Sequence, residues 1–282
     1  MRCTTHKHSL LGGAPLIAAL LVVACACSTP ERRAAPALDV ATTTSVQNSG
    51  LLDILLPRYS QANVRIRPVG SGLSLRMLER REVRAVIAHA PLAEAEYLGR
   101  HPSWTYRKIA FNRFTVVGPA DDPAKVAEAP DLSTAFQRIA ASRAFFVTRG
   151  DQSGTHEREL TIWKNAGVTM PPDRLIVSGS SMAVALRHAE EKQAYTLSDE
   201  ATFWQLDDSL SLVQLRTADA ALLNTYAVIH DASDADAAAF ASWLSDGAGR
   251  ELIDGYKIRG RRAFTPWPKG CPNESPSALP CR

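Results

Sequence analysis

Cysteine is missing from the body of this chain: Cys3, Cys25, Cys27, Cys271 and Cys281 all lie near its ends. That excludes a thiol nucleophile or a cysteine-held metal cluster from the folded middle. No apolar run approaches the ~20 residues that a spanning helix needs, and the run from Leu16 to Ala24 falls far short. Net charge is small as well, at +3 from 32 Lys and Arg against 29 Asp and Glu. Nucleic-acid binding calls for a basic stripe, and none stands out. Aromatic residues are scattered, with no cage or stacking platform. A Gly-x-Ser-x-Gly elbow, a Walker loop and a His-Glu-x-x-His motif are all lacking, so we expect no enzyme and no resident cofactor.

The ends carry their own signals. Arg2 and Lys7 precede the Leu16–Ala24 run, and no acid occurs before Glu31. A basic start, a short apolar core and small residues at the exit describe a signal peptide over residues 1–24. Val22-Val23-Ala24-Cys25 reads as a lipoprotein box with Cys25 lipidated, whereas Ala24-Cys25-Ala26 also fits cleavage to a soluble product beginning at Cys27. We expect the lipid-anchored form, in the periplasm or cell envelope. Residues 25–37, rich in Pro, Ala and Arg, read as a tether. Loss of the leader takes Arg2 and Lys7 with it, so the net charge falls from +3 to +1. Any preference for an anion must then be local. At the other end, Cys271 and Cys281 bracket a Pro/Ser-rich tail, 269–282, and their spacing permits a disulfide in an oxidising compartment.

The stretch with most chemistry is Thr148-Arg149-Gly150-Asp151-Gln152-Ser153-Gly154-Thr155. It follows a strand-like run, Ala144–Val147, and opens a helix that ends at Gly167. A helix start has unpaired N–H groups and partial positive charge, and arginine adds a forked donor, which together suit an oxyanion. Taken alone, such a loop is more often an ordinary capped turn. Similar loops recur, however. Thr42–Ser45 follows the strand Leu38–Ala41, Gly70-Ser71-Gly72 follows Val64–Val69, and His89-Ala90-Pro91 follows Val83–Ala88. The strand–loop–helix rhythm predicts a parallel α/β sheet with these loops along one edge. Two long extended stretches, Ile109–Pro119 and Thr225–His230, read as crossings between two lobes. We expect one lobe from 38–112 with 226–268 and the other from 113–225, with ligand in the cleft between them.

These residues resemble a known family. Thr42-Thr43-Thr44-Ser45 with Ser49-Gly50-Leu51-Leu52, Val86–Pro91, Arg149–His156 and Ala194–Asp199 are together similar to the tungstate-binding proteins of ABC-type importers. The resemblance spans roughly residues 38–268 and implies a two-lobed, type II-like periplasmic-binding-protein fold. It also implies a monomer that delivers tungstate or molybdate to a membrane permease. Carried onto this chain, the implied ligand contacts are Thr43, Thr44 and Ser45 from one lobe and Arg149, Ser153, Gly154 and Thr155 from the other. Ser71 stands in the family's Gly-Thr/Ser-Gly turn. The chain departs from the pattern at Gly179-Ser180-Ser181-Met182-Ala183, Arg81–Arg84 and Glu200.

Arg149-x-Asp151-x-Ser153-Gly154-Thr155 also resembles the phosphate-binding proteins of ABC importers. Phosphate keeps a proton at neutral pH and needs an acceptor, whereas tungstate, molybdate and sulfate carry none. Loops 42–45 and 70–72 hold no acid, and Asp151 is the one carboxylate expected in the constellation, free to pair with Arg149 instead of facing the ligand. That favours a dianion without protons. Phosphate and sulfate receptors of the same fold remain as alternatives, as does an envelope lipoprotein with a scaffolding or sensing role and no tight anion site. His89, His156 and Asp199 are expected to be structural.

Overall fold

The computed structural model describes residues 37–216 and 218–281. The expected signal peptide, the lipidation site at Cys25 and the tether up to residue 36 lie outside them.

In chain order the first elements are β1 (Ala37–Thr43), α1 (Thr44–Asn48), α2 (Leu51–Leu55), β2 (Asn63–Val69), α3 (Ser71–Glu79), β3 (Ala85–Ala88), α4 (Pro91–Arg100) and β4 (Trp104–Gly118). Next come α5 (Leu132–Ala141), β5 (Phe146–Thr148), α6 (Gly154–Ala166), β6 (Leu175–Val177), α7 (Met182–Lys192), β7 (Tyr195–Asp199) and α8 (Glu200–Leu206). The chain then runs through β8 (Val213–Arg216), β9 (Leu223–Asp231), α9 (Ala235–Ser245) and α10 (Ala248–Gly255). Three short strands close it: β10 (Lys257–Ile258), β11 (Arg261–Arg262) and β12 (Thr265–Pro266).

The main sheet has the order β2-β1-β3-β9-β4-β7-β5-β6, with β8 and β12 also on β4. β1 pairs in parallel with β2 and β3, and β5 does so with β6 and β7. The expected all-parallel sheet is corrected at the centre. There β9 runs antiparallel to β3 and β4, and β4 runs antiparallel to β7. Hydrophobic periodicity marks a strand but not the direction of its partner, so this reversal was hidden.

β4 is the strand common to both halves of the sheet. Trp104–Arg113 pair with β9 and Phe114–Val117 pair with β7. Because β7 opposes β4, its last residue, Asp199, sits across from Phe114, at the changeover between the halves. Ala88, the last residue of β3, pairs with Ala227, which pairs with Lys108 a few residues before that point. The carboxyl edges of the two halves therefore face each other.

Alternate strand residues feed opposite faces, as the pleat requires. Val40 and Ile87 join a cluster with Leu52, Tyr226 and Phe240, while their neighbours Ala41 and Val86 join Leu75, Tyr106 and Ile229. In the second half Val116 and Phe146 pack with Phe136, Trp163 and Tyr195, and Val117 and Val147 pack with Met182 and Leu186. Helices cover both faces of each half.

The tail docks onto β4. The Lys108 N–H donates to Asn273 O at 2.8 Å, its ammonium donates to Pro276 O at 2.9 Å and to Thr225 Oγ1 at 3.1 Å, and the Trp267 indole donates to Pro272 O at 3.0 Å. Cys271 and Cys281 form a disulfide across this loop. Closing a loop of that length restricts the unfolded chain, so Cys271→Ser/Cys281→Ser should cost about 2–3 kcal/mol of stability. Urea unfolding of the double variant measures it. An unchanged midpoint would mean that docking onto Lys108 holds the tail without the crosslink.

Candidate functional site

Six helices begin where the two edges meet: α1, α3 and α4 after β1, β2 and β3, and α6, α7 and α8 after β5, β6 and β7. Each turns the positive end of its dipole towards the junction, and in all but α4, whose first amides are met by a carboxylate of the facing half, first-turn N–H groups left over by the caps point the same way. The caps are the hydroxyls and carboxylate that follow the strands. Thr43 accepts from Val46 N, Ser153 from His156 N, Ser181 from Val184 N, and Asp199 from Thr202 N at 2.8 Å. The expected loop 42–45 is thus partly helix, because Thr43 ends β1 and caps α1 at once.

Arg149 is the dominant charge here, and it is 1 % exposed. Its Nε donates to Ser180 O at 2.8 Å, one terminal nitrogen donates to Asp151 Oδ2 at 2.5 Å, and the other lies 3.7 Å from Met182 Sδ. A guanidinium has five N–H groups. Three are accounted for, so two have no acceptor among the described residues. Both Asp151 oxygens are engaged, since Oδ1 also accepts from Ser153 N at 3.1 Å. Gly150 makes the turn possible with φ of +62°, where a side chain would also strike Val177.

The hydroxyls share a logic. The Thr43, Ser71 and Ser153 oxygens accept from Val46 N, His89 N and His156 N. Each keeps its own O–H free to donate outward. Thr155 is fully buried, and its Oγ1 has no partner among the described residues. Ser45 is buried and Thr44 half-buried, both in the first turn of α1.

Several of these groups are brought together directly. A methyl on Gly70 would touch Asp151 O and Ser153, one on Gly72 would touch Gln152 O, and one on Gly154 would overlap the His89 carbonyl oxygen. Ser71, Ser153, Gly154 and Thr155 therefore lie along one seam. Thr43–Ser45 approach from elsewhere: α1 packs against α7 and α8, beside the Ser180 and Met182 atoms that hold Arg149.

Sequence reasoning placed a single carboxylate here, and the structure adds two. Glu159 Oε2 accepts from Arg149 N at 3.3 Å, and burial pushes its carboxyl up to about 7. Asp199 is fully buried, its Oδ2 has no partner among the described residues, and burial raises its pKa against the pull of the Thr202 hydrogen bonds and of Arg149. His89 heads a network: Nδ1 meets Asn224 Oδ1 at 3.0 Å, and Asn224 Nδ2 donates to Asn112 Oδ1 and the Tyr226 hydroxyl. With that amide donating twice, its oxygen accepts from Nδ1–H, and Nε2 is a bare, buried acceptor. No sequence motif announces these partners, because most are single polar residues on strands whose pairing brings them into line.

A family model described as a PBP superfamily domain matches residues 30–247. The chain is 33 % identical to the tungstate-binding protein TupA of Peptoclostridium acidaminophilum, over 90 % of this chain and 96 % of that one. Among solved structures, the tungstate ABC transporter from Geobacter sulfurreducens is 31 % identical with a TM-score of 0.71, covering 79 % of this chain and all of that one. The tungstate-binding protein TupA from Desulfovibrio alaskensis G20 is 33 % identical with a TM-score of 0.69, covering 82 % of this chain and 99 % of that one.

Burial holds the His89 ring neutral, its pKa depressed to about 4. The unfolded ring protonates near pH 6.5, so this contribution to stability is complete above that pH. It is lost as pH falls towards 4, by up to roughly 3 kcal/mol. Glu94 and Glu159, both raised to about 7 by burial, act in the opposite sense and cost stability as pH rises from about 4.5 to 7. The histidine is isolated by comparison with His89→Gln. The stability gap between parent and variant should narrow by roughly 3 kcal/mol between pH 7 and pH 4. A gap independent of pH would show that the ring is not held neutral.

Proposed function

Since the chain belongs to the PBP superfamily, and within it to the tungstate-binding proteins of ABC-type importers, we propose that it captures a tetrahedral oxyanion outside the cytoplasm and passes it to a membrane permease. Its fold is accordingly the two-lobed, type II-like one, with the two halves of the sheet as lobes and the ligand between their facing edges. Tungstate is the first ligand in this reading and molybdate the second. Binding requires no cofactor and no covalent step. A lipid anchor at Cys25, a monomeric state and an envelope location complete the proposal.

The observation that carries it is the state of Asp151. Each of its oxygens already accepts from its own loop, Oδ2 from Arg149 and Oδ1 from Ser153 N–H, so the carboxylate is turned towards Arg149 and its charge is largely offset, which makes it a poor partner for the proton of hydrogenphosphate. The ligand then meets donors above all: the spare N–H groups of Arg149, the hydroxyls of Thr43, Ser71, Ser153 and Thr155, and the starts of the helices other than α4. A fully deprotonated dianion matches such a set. A second reading, hydrogenphosphate, rests on the unpartnered Oδ2 of Asp199.

Calorimetry of the protein with tungstate, molybdate, sulfate and phosphate tests both readings. We expect heat with the metalates and about a hundredfold loss of affinity in Arg149→Ala, in line with losing charge-assisted hydrogen bonds. That variant strands the Asp151 charge, so Arg149→Ala/Asp151→Asn serves as the folded control. Asp151→Asn alone should be mild. Binding of phosphate that Asp199→Asn abolishes would establish the second reading, and no heat with any anion would leave an envelope protein of another role.

A further inference from the structure

From within α4 only the Glu94 carboxylate reaches back to the helix start, accepting from the Ala90 N–H at 2.7 Å, and the amides that follow get no local cap. The N-cap residue of α4 is Ala90, which has no side-chain acceptor, and Pro91 in the first position has no N–H. The next two amides, Leu92 and Ala93, precede the first intrahelical bond, Glu94 N to Ala90 O at 2.8 Å, and so have no acceptor within the helix. Both nevertheless donate to one carboxylate. Glu157 Oε1 accepts from Leu92 N at 3.0 Å, and Oε2 accepts from Ala93 N at 3.0 Å.

Glu157 belongs to the other lobe. It lies in the first turn of α6, four residues beyond the capping Ser153, so its charge is close to the positive ends of two helix dipoles. Burial works against this ionised carboxyl, whereas the two amides and the neighbouring Arg158 favour it. Further in, the same seam is made of backbone on backbone, with Gly70 against Asp151 and Ser153, Gly72 against Gln152, and Gly154 against His89. Contacts that tight exist at only one separation of the lobes, and they bring no charge-assisted bond of their own.

We infer that Glu157 is a positioning residue that latches the lobes together, its carboxylate clamping the first amides of α4 across the cleft that holds Ser71, Arg149, Ser153 and Thr155. The latch touches no ligand. It acts by holding the 70–72 and 89–93 loops against 151–157, so it governs how readily the cleft reopens. Its effect on anion release rests on the proposed function, whereas the latch itself does not.

The test exploits the two amides. In the full chain, hydrogen exchange at Leu92 and Ala93 is followed by NMR without added anion in the parent, Glu157→Gln and Glu157→Ala. Both amides should exchange about tenfold faster or more in the variants, while Tyr97 and Leu98 within α4 stay unchanged. Stopped-flow binding of tungstate then separates the two rate constants, with release about tenfold faster in the variants and association nearly constant. Equal exchange at Leu92 and Ala93 in parent and variants overturns the latch. Faster exchange with unchanged tungstate release also overturns it, because Glu157 would then be a cap for α4 and nothing more. Should tungstate bind none of the proteins, the proposed function fails, and small-angle X-ray scattering of the anion-free parent and variants decides the latch: a larger radius of gyration in the variants upholds it, and identical profiles overturn it.

Discussion

The pairing of β4 with β9 is the constraint on which the rest of the molecule depends. These strands lie at the middle of the sheet, and β4 continues past Arg113 to pair with β7 in the other half. Reversing direction there turns two ordinary parallel units until their carboxyl edges oppose each other. Helix starts that would lie side by side along one edge of a continuous parallel sheet face each other across the junction instead. Asn112 and Asn224 face each other in that ladder, and the Asn224 amide fixes His89. The strand pairing that joins the lobes therefore also reaches the edge of the site.

Within the site, polarity comes mostly from dipoles. Arg149 and Asp151 cancel, the His89 ring is neutral, and the nearby Glu159 carboxyl has its pKa lifted by burial. What remains is a buried surface made mostly of N–H and O–H groups already oriented by their internal bonds, with His89 Nε2 and Asp199 Oδ2 as the acceptors among them. Such donors need little reorganisation when a charged ligand arrives, which is where tight oxyanion sites gain over water. The glycine seam serves the same end by letting the backbones of the two lobes meet without intervening side chains.

Much of this was legible in the sequence. Short apolar runs ending in hydroxyl or glycine clusters located β1, β2, β3 and β5, and put Thr43, Ser71, Arg149 and Ser153 on strand ends. Strand direction was not legible, because periodicity is the same either way. Nor was α1, whose first turn is drawn from a Thr-Thr-Thr-Ser run that reads as loop. α8 escaped as well, since Asp199 gives the ordinary signal of a cap and nothing separates the helix from β7. The partners of Arg149 at residues 180 and 182 are a backbone oxygen and a sulfur, which no motif records. Glu157 looks in sequence like any acid in a first helical turn, and its importance appears only once α4 is beside it.

The ion pair between Arg149 and Asp151 also bears on the life of the empty protein. A guanidinium buried alone would make the native state depend on whichever counter-ion was at hand. Here the counter-charge is two residues away in the same chain. A copy that reaches its compartment when cargo is scarce can still complete its fold, and the oxyanion arrives as freight and not as a missing part of the scaffold.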